Sequence, residues 1–201
     1  MMGGWTVHEG LAVALPREGV DTDQLIPARF MSTPRSEGYG QFLLHDLRRS
    51  GEALDPEFPL NRDGSDGASV LVAARNFGGG SSREAAVYAL VDAGFHVVVA
   101  PSFGDIFSGN AVNNGLLPAQ VTEEDGAALL KALESPEQAK VDLEAKTVTV
   151  GELTVPFTID PVRRTKLMNG WDDIDLTRSH RDEITAFRDR MRAERPWIFP
   201  D

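Results

Sequence analysis

The sequence predicts an α/β fold: a parallel βα core, an antiparallel addition and C-terminal helices. Three observations carry this expectation. Between residues 69 and 134, short apolar runs alternate with helical patterns in the order β-α-β-α-β-α, the signature of a parallel sheet. Residues 141–159 alternate apolar and polar side chains as two strands about Gly151, an antiparallel pair. Residues 179–195 repeat apolar side chains at helical spacing.

In chain order, Trp5–Leu15 reads as a strand or two, closed by Pro16. Gly19-Val-Asp-Thr-Asp-Gln-Leu-Ile-Pro27 is a polar turn leading into an apolar stub. Residues 32–40 read as a loop broken by Pro34, Gly38 and Gly40, followed by a short helix over about 41–49 and a second long loop over 50–67. Ser69–Ala74 is a buried strand. The helix after it places Ala86, Ala89, Leu90 and Ala93 on one face, with Gly94 as its C-terminal cap. His96–Ala100 and Leu116–Val121 are two more strands, separated by a helix over 104–114, and Glu123–Glu134 is a further helix. In the tail, Ile184, Phe187 and Met191 line one helical face, with Ser179 and Asp182 placed to cap its start. These elements make one domain over 1–201, with residues from about 160 to 201 as a helical C-terminal extension.

Composition excludes several classes. The chain has 201 residues, with 20 Lys+Arg against 31 Asp+Glu, a net charge of −11. Such acidity argues against a nucleic-acid partner. No apolar run is long enough to span a membrane, and Met1–His8 lacks the basic flank and apolar stretch of a signal peptide, so a soluble cytoplasmic protein is expected. With no cysteine, the chain forms no disulfide and holds no conventional iron–sulfur cluster by itself. The four histidines show no metal-ligand spacing, so no metal is expected on this chain.

The stretch richest in chemistry is Asn76-Phe-Gly-Gly-Gly-Ser-Ser-Arg-Glu84. Three consecutive glycines after a strand let the backbone approach a ligand closely. The helix that follows directs N–H groups to the same place, and Arg83 adds a forked cation suited to a carboxylate. A second reading is purely structural: Ser81 and Glu84 have the spacing of a helix capping box. The known nucleotide and hydrolase loops do not fit. There is no Walker motif, and both the dinucleotide fingerprint and the nucleophile elbow fail at Arg83.

The same stretch resembles the Asn-Phe-Gly-x-Gly-Ser-Ser-Arg-Glu signature of 3-isopropylmalate dehydratase small subunits, in the aconitase superfamily. Four further segments agree in the same order: Val20–Phe30, Ala100–Phe107, Asn113-Asn-Gly-Leu-Leu-Pro118 and Asn169-Gly-Trp-Asp-Asp-Ile174. The resemblance runs from about residue 5 to residue 197. It implies a swivelling β/β/α domain that docks on a separate large subunit, the two forming a heterodimer or larger assembly. That partner would carry a [4Fe–4S] cluster, this chain binding no cofactor. The reaction implied is the interconversion of 2-isopropylmalate and 3-isopropylmalate by dehydration and rehydration, in leucine biosynthesis. By motif position, Ser81 would be the general base, and Gly80, Ser82 and Arg83 would bind the dicarboxylate substrate.

Other positions follow with their alternatives. Asp21-Thr22-Asp23 matches the family's Asp-x-Asp-Gln motif, which implies a supporting role toward Arg83 or the glycine loop; by chemistry alone two such acids are turn-formers. The Arg29–Gly40 loop resembles the segment that closes over the variable end of the substrate, with Phe30 and Met31 as selecting residues, or is simply surface. Ser102 and Asn110–Asn114 read as helix caps or ligand contacts. Small subunits often carry Cys where this chain has Gly79, and usually His where it has Ala85. These departures leave open a homoaconitase or methylmalate/citraconate hydro-lyase, or a non-catalytic paralogue.

Overall fold

The computed structural model describes residues 3–199. In order the elements are β1 (Val7–Leu15), α1 (Thr22–Leu25), β2 (Arg49–Ser50), β3 (Ala53–Leu54), β4 (Val70–Ala73), α2 (Ala85–Asp92), β5 (Val97–Ala100), α3 (Asp105–Asn113) and β6 (Leu117–Gln120). They continue with α4 (Glu123–Ala132), β7 (Glu137–Asp142), β8 (Thr147–Val150), β9 (Leu153–Pro156), α5 (Pro161–Asn169), α6 (Asp173–Ser179) and α7 (Arg181–Glu194). Among the described residues no helix is long and apolar enough to cross a membrane.

Seven strands form one sheet in the order β6-β5-β4-β1-β7-β8-β9. The first four are parallel and the rest antiparallel, so β1 is where the two halves join. Its second half pairs in parallel with β4, from Ala12↔Val70 to Leu15↔Ala73, and its first two-thirds pairs antiparallel with β7, from Val7↔Asp142 to Ala12↔Glu137. The sheet curls until its ends meet: Thr158, just past β9, donates its N–H to the Gln120 carbonyl at the end of β6 (2.7 Å).

Both faces of the parallel strands are covered, which is why these strands read as unbroken apolar runs. Ala12, Val70, Val72, Val97, Val99 and Leu117 point to one side, where Val141, Val148, Val150 and Leu129 of α4 meet them. Leu15, Leu71, Ala73 and Val98 point to the other, against Leu25, Ala86, Ala89, Leu90 and Phe107. The glycine at the end of α2 is as expected: Gly94 lies just past Ala93 with φ +97°.

Four local expectations are corrected. Residues 41–49 are not a helix. Leu44 has φ +52° and donates its N–H to the Leu25 carbonyl (3.0 Å), so a tertiary contact interrupts the turn that periodicity suggested. The 50–67 loop holds the small hairpin β2–β3 within 49–54 and a 3-10 turn, Pro59–Asn61. The antiparallel addition has three strands, because the polar run Glu137-Gln-Ala-Lys-Val-Asp142 pairs with β1 and buries only Ala139 and Val141. Ser179 does not cap α7. Its hydroxyl donates to the Leu176 carbonyl (2.6 Å) and closes α6, leaving His180 at the start of α7 with no side-chain cap.

A pair of imidazoles lies under this frame. His8 on β1 stacks on His96 just before β5, with ring centroids 4.5 Å apart, and its Nε2 lies 2.8 Å from the Ser69 hydroxyl. Burial, and then the neighbouring His96, hold the His8 pKa below its ordinary value. The folded state therefore favours neutral His8. Its contribution to stability is complete above the ordinary histidine pKa of about 6.5 and declines as pH falls from there toward the lower folded value. Urea midpoints measured from pH 7.5 to pH 5 should fall for the wild type, and His8→Gln should flatten that decline.

Candidate functional site

The serine loop is built by continuing the parallel sheet beyond its strands. Past β1, Val20–Thr22 runs beside Phe77–Gly79, which in turn runs beside Ser102–Gly104 past β5. Gly78 N–H donates to the Val20 carbonyl (2.7 Å) and Thr22 N–H to the Gly79 carbonyl (2.9 Å). On the far side Phe77 N–H donates to the Ser102 carbonyl (3.0 Å) and Gly104 N–H to the Phe77 carbonyl (2.9 Å). The Ser102 hydroxyl accepts from the Asn76 N–H (2.8 Å), which gives Ser102 a structural task. The resulting cluster lies at the carboxyl ends of the strands, where open α/β sheets place their ligands.

Gly78 is required at its position. Its φ is +72°, and a Cβ there would lie 2.2 Å from the Phe107 ring. Phe107 packs edge-on against Phe77, with centroids 5.5 Å apart, so the loop rests on an aromatic floor. Gly80, exposed and with φ +96°, turns the chain over Thr22 and presents Ser81.

Thr22 is the contact on which Ser81 sits. The Thr22 side chain is buried, and its Oγ1 accepts the Ser81 N–H (3.1 Å) and lies 3.0 Å from Ser81 Oγ and 3.2 Å from the Ser81 carbonyl oxygen. Asp21 bonds within its own turn. Its carboxylate caps α1 by accepting the Gln24 N–H (2.7 Å). Asp23 pairs with the Arg83 guanidinium. That pair is partly solvent-exposed, so it orients Arg83 at little energetic cost to a competing carboxylate, and the remaining guanidinium donors are left for another acceptor.

The capping-box reading of this stretch is corrected. Helix α2 begins at Ala85, with Glu84 at its N-cap and no side-chain capping bond. The Glu84 carboxylate instead accepts from Asn114 Nδ2 (2.8 Å). Neither Ser81 nor Ser82 is spent on capping; both are exposed on the loop. Ala85 is buried in the first turn, part of the core beneath the loop. Gly79 lies above Asn76, where a Cβ would make an ordinary contact with Asn76 Oδ1 at 3.4 Å.

Phe30 and Met31 lie in the Arg29–Gly40 loop. Phe30 stacks on Phe42 with centroids 4.3 Å apart, under the Arg29 guanidinium, so its ring is largely occupied by packing, whereas Met31 is exposed. The loop is tied to α2: Arg35 pairs with Asp92, which also accepts the Tyr39 N–H (2.6 Å).

One cluster was not expected from sequence. Lys166 on α5 is 5% exposed, and its ammonium donates to Asn113 Oδ1 and to the Asp173 carboxylate; Asn113 Nδ2 donates to the other Asp173 oxygen (3.2 Å). The Lys166 ammonium holds the Asp173 carboxyl below the usual carboxylate range. The signal was present as two of the ordered segments, Asn113–Pro118 and Asn169–Ile174, whose meeting through a lysine outside both motifs is a tertiary fact. A cavity of about 400 Å³ opens here, between Trp5, Arg35, Lys166 and Trp171, rather than at Ser81.

Comparison with known proteins agrees with this architecture. The family described as the aconitase C-terminal domain matches residues 2–124, and that described as the C-terminal domain of the 3-isopropylmalate dehydratase small subunit matches residues 173–201. A 3-isopropylmalate dehydratase small subunit of Rhodopirellula baltica is 46% identical over 193 residues, covering 94% of this chain and 98% of that protein. One from Geobacillus kaustophilus is 44% identical over 198 residues, covering 97% of this chain and 100% of the relative. The crystal structure of a 3-isopropylmalate dehydratase from Methanocaldococcus jannaschii shares the fold, with a TM-score of 0.67 and 24% identity over 90% of this chain and 99% of that one.

The Thr22 hydroxyl makes a direct test possible. Thr22→Val keeps the shape but leaves the Ser81 N–H without its acceptor, and should cost about 1–2 kcal/mol in urea unfolding. Thr22→Ser should restore most of that loss.

Proposed function

Because the chain belongs to the 3-isopropylmalate dehydratase small-subunit family, we propose that it supplies the base and carboxylate-binding half of a hydro-lyase. A large subunit would complete the enzyme in the cytoplasm, and the pair would interconvert 2-isopropylmalate and 3-isopropylmalate in leucine biosynthesis. The observation that carries this reading is the seating of Ser81. Its hydroxyl is exposed on a loop fixed from below by Thr22, beside an arginine oriented by Asp23.

In the proposed reaction Ser81 Oγ removes a proton from the carbon beside a substrate carboxylate. The C–H electron pair becomes the new C=C bond as the neighbouring hydroxyl departs. Rehydration at the other carbon reverses the sequence, with Ser81 returning its proton. A serine is a weak base unless its alkoxide form is stabilised. Two groups support that here: Thr22 O–H is within donating distance of Ser81 Oγ, and Arg83 brings a positive charge that Asp23 orients and partly offsets. Arg83 and the hydroxyl of Ser82 would grip a substrate carboxylate, Arg83 by its fork. Gly80 allows the carboxylate to approach the backbone.

The sequence has no cysteine, and among the described residues no group of three His, Asp or Glu is placed to hold a metal ion. A [4Fe–4S] cluster would accordingly be held by the large subunit, where it would supply Lewis acidity.

Ser81→Ala should lower turnover in the reconstituted two-subunit enzyme by about 10²–10⁴-fold while assembly is retained; near-normal turnover would remove Ser81 from the base position. Exchanging the Arg29–Gly40 segment, with Met31 at its exposed face, should change the ratio of turnover between isopropylmalate and homocitrate. An unchanged ratio would show that selection lies elsewhere.

A further inference from the structure

The C-terminal helices are poorly explained by this chain alone. Neither α6 nor α7 buries a single side chain. Yet α7 carries Ile184 and Phe187 exposed, with Met191 one helical turn further, at the i, i+3, i+7 spacing of a helix built to lie in a groove. Trp197 is 77% exposed and Phe187 56%, with Ile174 and Ile198 also uncovered. A 14-residue helix without tertiary burial is only marginally stable in water, since most helical stability in proteins comes from packing an apolar face.

Three features identify what covers it. The segment 173–201 is matched as a unit by a family of small-subunit tail domains, so it belongs to chains that work with a large subunit. It is also continuous with the catalytic rim: Asp173 at the start of α6 is joined through Lys166 and Asn113 to the loop of Asn114, which holds Glu84 next to Arg83. A partner that closes over Ser81 and Arg83 thus meets the root of this extension. Finally, six arginines balance six acids over residues 173–199, in a chain whose net charge is −11. Two copies of so acidic a chain repel each other at long range, which disfavours a second copy as the occupant.

We propose that α7, with Trp197 and Ile198, is a docking arm whose Ile184–Phe187–Met191 face inserts into an apolar groove on the large subunit. This rests on the two-subunit reading above. The arm would hold the two chains together independently of substrate.

The test is a binding titration of the full chain against the purified large subunit, without substrate, by sedimentation or interferometry. The double variant Ile184→Glu/Phe187→Glu should weaken association by about 30-fold or more, as expected when central apolar anchors are lost, with circular dichroism and melting midpoint of the body unchanged. Hydrogen exchange of residues 181–194 in the wild-type chain should slow on adding the large subunit. Wild-type affinity in the double variant, with no protection of α7, would overturn the arm. Loss of self-association by the variant with heterologous binding intact would assign the face to a second copy and overturn it equally. Failure of the wild-type chain to bind the large subunit would instead refute the two-subunit reading itself.

Discussion

The site depends on one piece of backbone pairing: Val20–Thr22 lying parallel to Phe77–Gly79. Strands β1 and β4 end several residues earlier, and without this continuation Ser81 would sit at the tip of a free loop. The bonds from Gly78 N–H to Val20 and from Thr22 N–H to Gly79 set the register between the two segments. That register puts a buried hydroxyl beneath the serine and an exposed carboxylate beside the arginine. Gly78 is the condition for the pairing, since a side chain there would displace Phe107 and the aromatic floor with it.

The energetic character of the site follows. Its base is rigid, made of ladder-like hydrogen bonds and a nearly inaccessible threonine. Its upper surface is more open: a half-exposed ion pair, two exposed serines and a glycine with positive φ. In the Arg83–Asp23 pair the carboxylate is exposed and the guanidinium half-buried, so the pair serves mainly to orient Arg83. In the proposed reaction, water would have to be excluded before a carboxylate is held tightly or an alkoxide is tolerable. The Ser81 surface is too open to do so alone, and the cavity beside Lys166 lies elsewhere.

Much of this was legible in the sequence because the relevant signals are local. Unbroken Val and Ala runs marked the strands buried on both faces, and Gly94 and Gly151 marked a helix end and a hairpin. The Gly-Gly-Gly-Ser-Ser-Arg cluster stood out for its chemistry, and its resemblance to a family signature specified the reading. What escaped was decided by tertiary contact. Leu44 bends away from the predicted helix to reach Leu25. The strand Glu137–Asp142 is polar because only two of its side chains meet the core. Ser81 and Glu84 have capping spacing, but Thr22 and Asn114 compete for the groups that a cap would use, and win. The Lys166 cluster joins three segments, one of them distant in the chain, which no window of sequence displays.

The curl that brings Thr158 onto Gln120 has a consequence for life before assembly. An open sheet offers its outermost strands to any extended peptide nearby, and a protein waiting for its partner is exposed to that hazard longest. Here one bridge ties the end of the β6 border to the segment leaving β9, so neither border is left wholly free. That tie shortens the stretch of open edge available as a template while the exposed face of α7 stays uncovered.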